Sequence, residues 1–455
     1  RSKKSEFAIV YGRRRVGKTF LVSRKFEKDL CFRMTALANA NTAAQLQNFY
    51  NYLQTFSSSE AGEMPLNWLS AFQLLIAYLE QHPAKRKVIF LDELPWFNTH
   101  GSDFLSGLEH FWNGWAAYRS DILLITCGSA ASGMINNLLR DKGGLHNRVT
   151  ERISVQPFNL KETEQFLQAK GAVYDRYQLL ELYMAVGGIP FYLENIRVDK
   201  SVAQNIDLLF FSPGGLLQTE YSNLYRSLFT NHERHLSVVE VLAKKTMGLS
   251  RKELVKQSGL KEGGNFSTVL KELEESGFIS RYYPFGKSNR DARYRLSDPY
   301  TLFYLSFVRN TRTRGSGAWL SRMGDAKWRA WSGYAFEQIC LYHIPQLKAA
   351  LGISGVYTEA SIWRSKQKKE GAQIDLLLDR NDRVINICEI KFSIAPYIIT
   401  KDYAEKLQRK LYVFREETRT RKTLFLTMIT TYGLKENAYA SQRIQNSIDM
   451  NALFK

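Results

Sequence analysis

The sequence lacks three features that would place the protein in or beyond a membrane. No apolar run approaches the roughly 18 residues that a membrane span requires. The basic start Arg1-Ser2-Lys3-Lys4 is not followed by an apolar segment, so no signal peptide is expected. Cysteine is scarce and forms no C-x-x-C pair, so neither a zinc site nor a disulfide framework is predicted for Cys31, Cys127, Cys340 and Cys388. These absences favour a reducing cytoplasm and no membrane partner.

Acidic residues are too few to balance the basic ones. The 455 residues carry a formal net charge of +19, and residues 251–330 hold 16 Lys and Arg against 8 Asp and Glu. Such an excess favours contact with a polyanion, most simply nucleic acid, although it also suits acidic protein partners or plain solubility. The length predicts about three domains.

A glycine-rich segment near the start fits the pattern G-x-x-x-x-G-K-[ST] at every fixed position. The apolar residues 7–11 lead into it as a predicted buried strand, and a helix is predicted to follow. The glycines let backbone N–H groups point at phosphate oxygens, Lys18 reaches the β- and γ-phosphates, and the Thr19 hydroxyl ligates Mg²⁺. The sequence therefore predicts a nucleoside triphosphate site formed by Gly12, Arg13, Arg14, Arg15, Val16, Gly17, Lys18, Thr19 and Phe20.

A second segment, residues 87–93, is an apolar run that ends in two carboxylates. A parallel strand buried on both faces has this composition, and its carboxyl end lies at the ligand-binding edge of the sheet. Asp92 would hold Mg²⁺ through water, and Glu93 would polarise the attacking water. The alternative is a strand that ends in a solvated acidic turn. Beside the glycine-rich loop, hydrolysis of the triphosphate is the better interpretation.

Two further regions are candidates for contact with the γ-phosphate. The predicted strand at residues 121–129 ends in small polar residues, of which Ser129 is the first choice and Thr126 the second. An ordinary helix cap is the alternative role for Ser129. Arg148 and Arg152 precede a strand-like segment, and Arg148 is the candidate arginine finger, in cis or from a neighbouring subunit. Surface ion pairs are the alternative for these arginines.

The middle of the chain divides into two predicted regions. Helices at residues 161–167 and 177–186, followed by Gly187-Gly188-Ile189-Pro190, suit a small lid over the nucleotide, and the same turn also suits a plain helix stop. Residues 235–299 carry the pattern of three helices and a hairpin with a basic loop, the order of a winged helix. Because the third helix has mixed charges, DNA binding and protein docking both stay open.

The last third of the chain returns to α/β composition. One predicted strand opens with Asp375, and the period of two along the next strand puts Glu389 and Lys391 on one face. Asp375 and Glu389 would hold Mg²⁺, with Glu337 as a further ligand, while Lys391 orients or activates water against a phosphodiester. The same three-residue pattern also arises on strands by chance. The following helix carries two lysines where a nucleic-acid backbone would pass, Lys406 and Lys410.

Taken together, the chain resembles the archaeal-type ATPase family, a branch of the AAA+ and signal-transduction P-loop ATPases. The likeness rests on residues 11–19, on Leu91-Asp92-Glu93 and on residues 186–193. It implies that ATP rather than GTP is bound and that Pro190 lies near the nucleotide. Members usually begin with a Phe-x-Gly-Arg-x-x-Glu segment, which is not found before the first strand here, so contacts from such a segment cannot be assigned.

The same resemblance implies that a winged helix and a domain similar to PD-(D/E)xK nucleases follow the ATPase core. Asp375, Glu389 and Lys391 match that nuclease signature in order, type and spacing. The predicted fold is therefore α/β: a P-loop NTPase parallel sheet over residues 1–157, a helical lid over 158–232, a winged helix over 233–312, and an α/β restriction-endonuclease-like domain over 313–455.

The predicted function is a Mg²⁺-dependent ATPase whose nucleotide cycle is coupled to a DNA-binding, nuclease-like domain. ATP and Mg²⁺ are the expected cofactors, nucleic acid is the expected partner, and an arginine finger in trans would require a homo-oligomer. The alternative is an ATP-dependent regulatory switch or scaffold whose winged helix and C-terminal domain bind DNA or protein without cleavage.

Overall fold

The computed structural model describes residues 4–57, 62–129, 145, 147–311, 315, 317–365 and 371–455. The chain forms two compact units, Arg1–Gln156 with Lys271–Ser276 and Pro157–Leu270 with Gly277–Lys455. The division after residue 156 lies one residue from the predicted end of the ATPase core. The regions predicted to be a lid, a winged helix and a C-terminal nuclease-like domain belong mostly to the second unit, and these domain assignments stay predictions.

A five-stranded parallel sheet organises the first unit. Its spatial order is β2-β3-β4-β1-β5, with strands β1 Glu6–Gly12, β2 Leu30–Thr35, β3 Lys87–Asp92, β4 Ile122–Ser129 and β5 Glu151–Val155. Four helices accompany these strands in the described part of the unit: α1 Lys18–Lys25, α2 Thr42–Phe56, α3 Trp68–Gln81 and α4 Phe104–Gly114.

Both faces of this sheet are covered, which explains its apolar strands. Along β1, Phe7 and Ile9 join the core formed with α2, α3 and α4, whereas Ala8 and Val10 join the core that contains Val22 of α1. All six residues of β3 are buried. A strand in this position has no face toward solvent, so its sequence is a continuous apolar run. The carboxyl ends of β1, β3 and β4 consequently meet at one edge, where an open parallel sheet binds ligands.

The second unit begins with helices that correspond to the predicted lid. They are α5 Leu160–Ala169, α6 Arg176–Val186, α7 Pro190–Glu194, α8 Val202–Ile206 and α9 Leu216–Leu228. The turn between α6 and α7 is held against the chain that precedes α5, because the Phe158 N–H donates to the Gly188 carbonyl over 2.7 Å. A Cβ atom at Gly188 would meet the Phe158 oxygen at 1.8 Å, so this position has room for glycine alone.

Three helices and a small antiparallel sheet follow. The elements are α10 His232–Ala243, β6 Leu249–Ser250, α11 Arg251–Ser258, α12 Gly264–Glu275, β7 Ile279–Tyr282 and β8 Arg293–Leu296, with the strand order β6-β8-β7. This is the element order that the sequence predicts for a winged helix, and that assignment stays a prediction. The hairpin loop contacts strand β9 (Thr358–Arg364), since the Phe285 N–H donates to the Ile362 carbonyl over 2.9 Å. The Phe285 ring also lies 5.2 Å from the Phe414 ring.

The last part of the second unit is a five-stranded mixed sheet with helices. Its spatial order is β13-β12-β11-β10-β9; the pairs formed by β9, β10 and β11 are antiparallel, and those formed by β11, β12 and β13 are parallel. The remaining elements are α13 Pro299–Phe303, α14 Ala326–Tyr342, α15 Ile344–Ala350, β10 Gln373–Arg380, β11 Val384–Lys391, α16 Lys401–Thr418, β12 Thr423–Thr430, α17 Ala438–Arg443 and β13 Asn446–Asp449.

No helix in the described ranges combines the length and the apolar composition needed to cross a bilayer.

Candidate functional site

The loop between β1 and α1 has the backbone shape of a phosphate cradle. Gly12 pairs with Val155 of β5, and a Cβ atom at Gly12 would meet the Val155 oxygen at 2.2 Å. Gly17 precedes α1 in the left-handed conformation, with φ 85°. The helix therefore begins at Lys18 and directs its amino-terminal N–H groups toward the loop, an arrangement that favours an anion.

The Lys18 side chain is folded over this loop. Its ammonium donates to the carbonyl oxygens of Gly12 at 3.3 Å and Arg13 at 2.9 Å. Burial lowers the pKa of Lys18, while the nearby carboxylates of Glu93 and Asp92 act in the opposite direction. Among the described residues, the hydrogen-bond partners of this buried cation are these two carbonyl oxygens. Such a cation fits a polyphosphate, because phosphate oxygens would give it stronger, charge-assisted bonds.

Asp92 lies beside this loop at the end of β3. The Thr19 hydroxyl donates to Asp92 Oδ2 at 2.8 Å, and the Glu93 N–H donates to Asp92 Oδ1 at 2.9 Å. Burial raises the pKa of Asp92, and both hydrogen bonds oppose that shift. Thr19 and Asp92 thus place two oxygen donors side by side, which is the donor chemistry that Mg²⁺ takes.

Glu93 has an unusual backbone. Its φ of 54° lies in the left-handed region, which is uncommon for a residue with a side chain and is often found at functional positions. The residue is partly open to solvent at the edge of the sheet, while its carboxyl group is largely surrounded by protein. Desolvation and repulsion from Asp92 raise the pKa of Glu93, and Lys18 and Arg14 counteract them. This is an environment suited to a group that polarises water.

Ser129 ends β4 directly beside Gly12 of β1. Its hydroxyl oxygen is buried and has no hydrogen-bond partner among the described residues. Thr126 also has an unpartnered buried hydroxyl within the described ranges, but it is fully buried between Ile9 and Leu91 in the middle of the sheet. Of the two sequence candidates, Ser129 is the one whose position allows contact with a ligand in the cradle.

Arg148 lies at the opposite edge of the sheet from Lys18. It lines a depression with Ser5 and Asp121, which directly precede β1 and β4. Because β1 has seven residues, about 20 Å of sheet separates that edge from the phosphate loop. The expectation of a finger in cis is therefore corrected: within one protomer Arg148 cannot reach the γ-phosphate, and only action on a neighbouring subunit is left.

The other predicted nucleotide contacts lie at three places. Arg13 and Val16 are buried within the loop, Arg14 is exposed, Arg15 is half-buried, and Phe20 is exposed on α1. Pro190 begins α7 in the second unit. Their roles toward a nucleotide stay predictions.

The residues of the nuclease signature come together on β10 and β11. Lys391 Nζ lies 2.8 Å from Glu389 Oε1 and 4.0 Å from Asp375 Oδ2. The Ile390 N–H donates to Asp375 Oδ2 at 3.2 Å. The Glu389 side chain is 3% exposed. Two carboxylates and an ammonium therefore share one mostly buried pocket, as the strand periodicity predicts.

The two carboxylates have opposite electrostatic environments. Burial and the Glu389 charge raise the pKa of Asp375. Burial also disfavours ionised Glu389, but Lys391 and Lys410 outweigh it and hold the pKa of Glu389 below its ordinary value. Although burial disfavours the ammonium, Glu389 and Asp375 raise the pKa of Lys391. These shifts favour the charged forms of both Glu389 and Lys391.

Glu337 of α14 approaches the same site from another side. Burial and the charge of Asp375 raise the pKa of Glu337 to about 7. Its Oε1 lies 3.1 Å from Nη1 of Arg295, a residue of β8 whose side chain is 3% exposed. The sequence reasoning identified Glu337 but missed Arg295, whose only signal was an arginine on the buried face of a short strand.

Lys410 of α16 is a second residue whose position in the site was missed. The sequence placed it only on a helix that passes nucleic acid, yet its Nζ lies 2.5 Å from Glu389 Oε2. Within the described ranges no three Asp, Glu, His or Cys side chains converge as a metal-binding group. Asp375 and Glu389 have the oxygen chemistry for Mg²⁺, but both oxygens of Glu389 are bound by lysines here. The expected ligand set of Asp375, Glu389 and Glu337 is therefore not assembled.

The chain is similar to several known proteins at low identity. No family model matches it. An uncharacterized protein of Methanocaldococcus jannaschii is 24% identical over 422 residues, which cover 90% of this chain and 85% of that protein. Among solved structures, the Walker-type ATPase PABY2304 of Pyrococcus abyssi has a TM-score of 0.48 and 16% identity, covering 66% of this chain and 91% of that one.

Two further solved structures are less similar. The ORC2 protein of Aeropyrum pernix has a TM-score of 0.38 and 14% identity, covering 66% of this chain and 87% of that one. RuvB of Thermotoga maritima has a TM-score of 0.33 and 12% identity, covering 63% and 84%. At these values, function has to be inferred from the geometry of the two sites.

Proposed function

We propose that the first unit is a Mg²⁺-dependent ATPase. The observation that carries this proposal is the 2.8 Å hydrogen bond between Thr19 and Asp92, beside the Lys18 ammonium on the loop carbonyls. These side chains come from two separate strand ends, and their meeting at one sheet edge supports a site for a triphosphate with its metal ion.

Each residue of this edge has a defined role in the proposal. The loop N–H groups and Lys18 bind the phosphates. Thr19 and Asp92 would hold Mg²⁺, which would neutralise the charge on the leaving group. Glu93 orients and polarises the attacking water, and Ser129 donates to the γ-phosphate. Phe20, Arg14 and Pro190 are proposed contacts with the rest of the nucleotide.

Three variants test the ATPase proposal. Lys18→Ala should abolish ATP binding, and Glu93→Gln should keep binding but lower turnover by roughly 100-fold or more, the size of a lost acid–base contribution. Lys25→Ala, an exposed lysine on the same helix α1, is the matched control and should resemble the wild type. Equilibrium binding of a fluorescent ATP analogue and steady-state phosphate release give the two readouts. Unchanged turnover in both site variants would refute the assignments.

A second candidate activity belongs to the second unit. The meeting of Asp375, Glu389 and Lys391 in one buried pocket supports Mg²⁺-dependent hydrolysis of a phosphodiester, with nucleic acid as the substrate. The alternative is a switch or scaffold in which this pocket binds without cleaving. Incubation of single- and double-stranded DNA with Mg²⁺ or Mn²⁺ separates them: cutting that Asp375→Ala removes supports the nuclease. Intact DNA with retained ATP hydrolysis supports the switch.

The remaining proposals concern partners. The net charge of +19 supports nucleic acid, most simply DNA, as the partner. Arg148 acts on a nucleotide only across a subunit interface, so its role requires a homo-oligomer. All four cysteines are free and buried, which fits the predicted reducing cytoplasm. Mass photometry with and without ATP, on the wild type and on Arg148→Ala, tests the assembly.

A further inference from the structure

Glu389 is held by two lysines that belong to different elements. Lys391, two residues along β11, binds Oε1 at 2.8 Å, and Lys410 of α16 binds Oε2 at 2.5 Å. Because the Glu389 side chain is 3% exposed, water has little access to either oxygen. Each Glu389 oxygen therefore has an ammonium group beside it.

The charges of the pocket balance without a metal ion. Two ammonium groups face the carboxylates of Asp375 and Glu389, and Glu337 is paired with Arg295. A divalent cation that entered this pocket would add two positive charges beside the lysines. Repulsion from the two ammonium groups therefore opposes a metal ion at Glu389 until one of them moves away.

Lys410 is better placed to leave than Lys391. Lys391 shares a strand face with Glu389 and also lies 4.0 Å from Asp375, so it stays close to both carboxylates. Lys410 reaches the pocket from a helix, and Lys406, one turn earlier on the same face of α16, is exposed. A phosphate that reached this helix would meet both lysines.

We propose that Lys410 is a displaceable counter-ion of the candidate nuclease site: it neutralises Glu389 without metal and moves to a nucleic-acid phosphate when a divalent cation takes its place. This inference rests on the proposed metal-dependent function of the second unit. It makes metal binding and nucleic-acid binding mutually dependent. A phosphate that binds Lys410 frees Glu389 for the metal ion, and a metal ion at Glu389 frees Lys410 for the phosphate.

The experiment measures Mn²⁺ affinity directly, by the electron paramagnetic resonance signal of free Mn²⁺, without nucleotide. Every protein in this experiment carries Asp92→Asn, so that the phosphate loop contributes little to Mn²⁺ binding. The protein with this substitution alone is the parent. Lys410→Met should bind Mn²⁺ at least tenfold more tightly than the parent, whereas Lys410→Arg, which keeps the charge, should not. Lys401→Met, an exposed lysine on the same helix, is the matched control and should equal the parent.

The double variant Lys410→Met/Glu389→Gln identifies the ligand. It should lose the gain in affinity, because the freed oxygen is no longer a carboxylate oxygen. Lys410→Gln replaces Lys410→Met if thermal melting shows that the Met variant does not fold. Equal affinity of parent and Lys410→Met, a gain that survives Glu389→Gln, or no Mn²⁺ binding in any variant would each overturn the proposal.

A cleavage-resistant phosphorothioate oligonucleotide tests the second half of the inference. It should raise the Mn²⁺ affinity of the parent several-fold and leave that of Lys410→Met unchanged; an equal effect on both would overturn the exchange. ATP hydrolysis and DNA cleavage are measured separately with Asp92 intact. Failure of either activity, together with the expected Mn²⁺ result, would count against the proposed function and leave the role of Lys410 supported.

Discussion

The ring of Tyr177 on α6 stacks on the ring of Phe392, with centroids 5.6 Å apart and planes 30° apart. Phe392 directly follows Lys391 of the candidate nuclease site, and its ring also makes edge contacts with Trp328 and Phe336 of α14. Helix α6 thus contacts the residue that directly follows β11 and its Lys391.

Glu181, one turn after Tyr177 on α6, has a strongly shifted pKa. Burial raises the pKa of Glu181 to about 7, against an ordinary value of 4.5, although a hydrogen bond with Tyr177 opposes the shift. The folded protein therefore binds this proton more tightly than the unfolded chain. The stability that the neutral carboxyl contributes is present below pH 4.5 and is lost as the pH rises through about 7.

We therefore expect Glu181→Gln to be more stable than the wild type at pH 8 but not at pH 4.5. This rise in pKa corresponds to an upper limit of a few kcal/mol, and partial exposure of the side chain will reduce that value. Urea unfolding at the two pH values, followed by intrinsic fluorescence, measures the difference. An equal gain at both pH values would contradict the assignment.

Two glycines of the second unit should respond oppositely to alanine. At Gly188 the added Cβ would lie 1.8 Å from the Phe158 oxygen, whereas at Gly333, within α14, it would meet nothing within 4 Å. Gly188→Ala should cost at least about 3 kcal/mol because a backbone atom has to move. Gly333→Ala should stabilise by about 0.5–1 kcal/mol, since alanine is the better helix former. Thermal unfolding checks both, and a neutral Gly188→Ala would contradict the close approach.

Part of the molecule was predictable from sequence because its conformation depends on local patterns. Residues 12–19 form a local motif, so their conformation follows from short-range steric rules. Asp92 was predictable because a fully buried parallel strand leaves a continuous apolar pattern that ends at the ligand edge. Glu389 and Lys391 meet because residues two apart on a strand lie on the same face of the sheet.

Other contacts depend on how distant elements pack. Arg295 reaches the carboxylates from a hairpin strand and Lys410 from the helix that follows β11, and no local pattern encodes either approach. Arg148 is a different case, because only the alternative of a finger in cis is contradicted. A residue just before a parallel strand lies at the edge opposite to a residue just after one, so its distance from Lys18 follows from the sheet topology.

A groove between α16 and α17 should bind single-stranded nucleic acid. The exposed fractions of Tyr412 and Tyr439 are 65% and 39%, and the groove is lined by Lys401, Ala404, Glu405, Gln408, Arg409, Tyr412, Tyr439 and Arg443. Base stacking on a tyrosine contributes about 1–3 kcal/mol, so Tyr412→Ala should weaken oligonucleotide binding by roughly 5- to 100-fold. Arg443→Gln should reduce the salt dependence of binding by about one unit of slope.

Fluorescence anisotropy with labelled oligothymidylate at several salt concentrations measures both effects. Tyr118→Ala is the control, because Tyr118 is 85% exposed in the first unit and lies outside the groove. Loss of affinity of equal size in the control would show that the groove has no special role.

Ser129 offers a test that separates a sensor from a structural residue. Because its buried hydroxyl has no partner in the described part of the chain, its removal breaks no hydrogen bond there, and Ser129→Ala should change stability by less than about 0.5 kcal/mol. If the hydroxyl donates to the γ-phosphate as charge develops during hydrolysis, kcat should fall by roughly 10- to 1000-fold.

Thr126→Val is the matched control, since Thr126 lies on the same strand with a buried, unpartnered hydroxyl in the described ranges but in the sheet interior. It should leave kcat unchanged. Steady-state ATP hydrolysis combined with urea unfolding gives both quantities for each variant. Removal of a group that faces the ligand should lower kcat without lowering stability. A marked loss of stability in Ser129→Ala, or an equal fall of kcat in both variants, would therefore assign the hydroxyl a structural role.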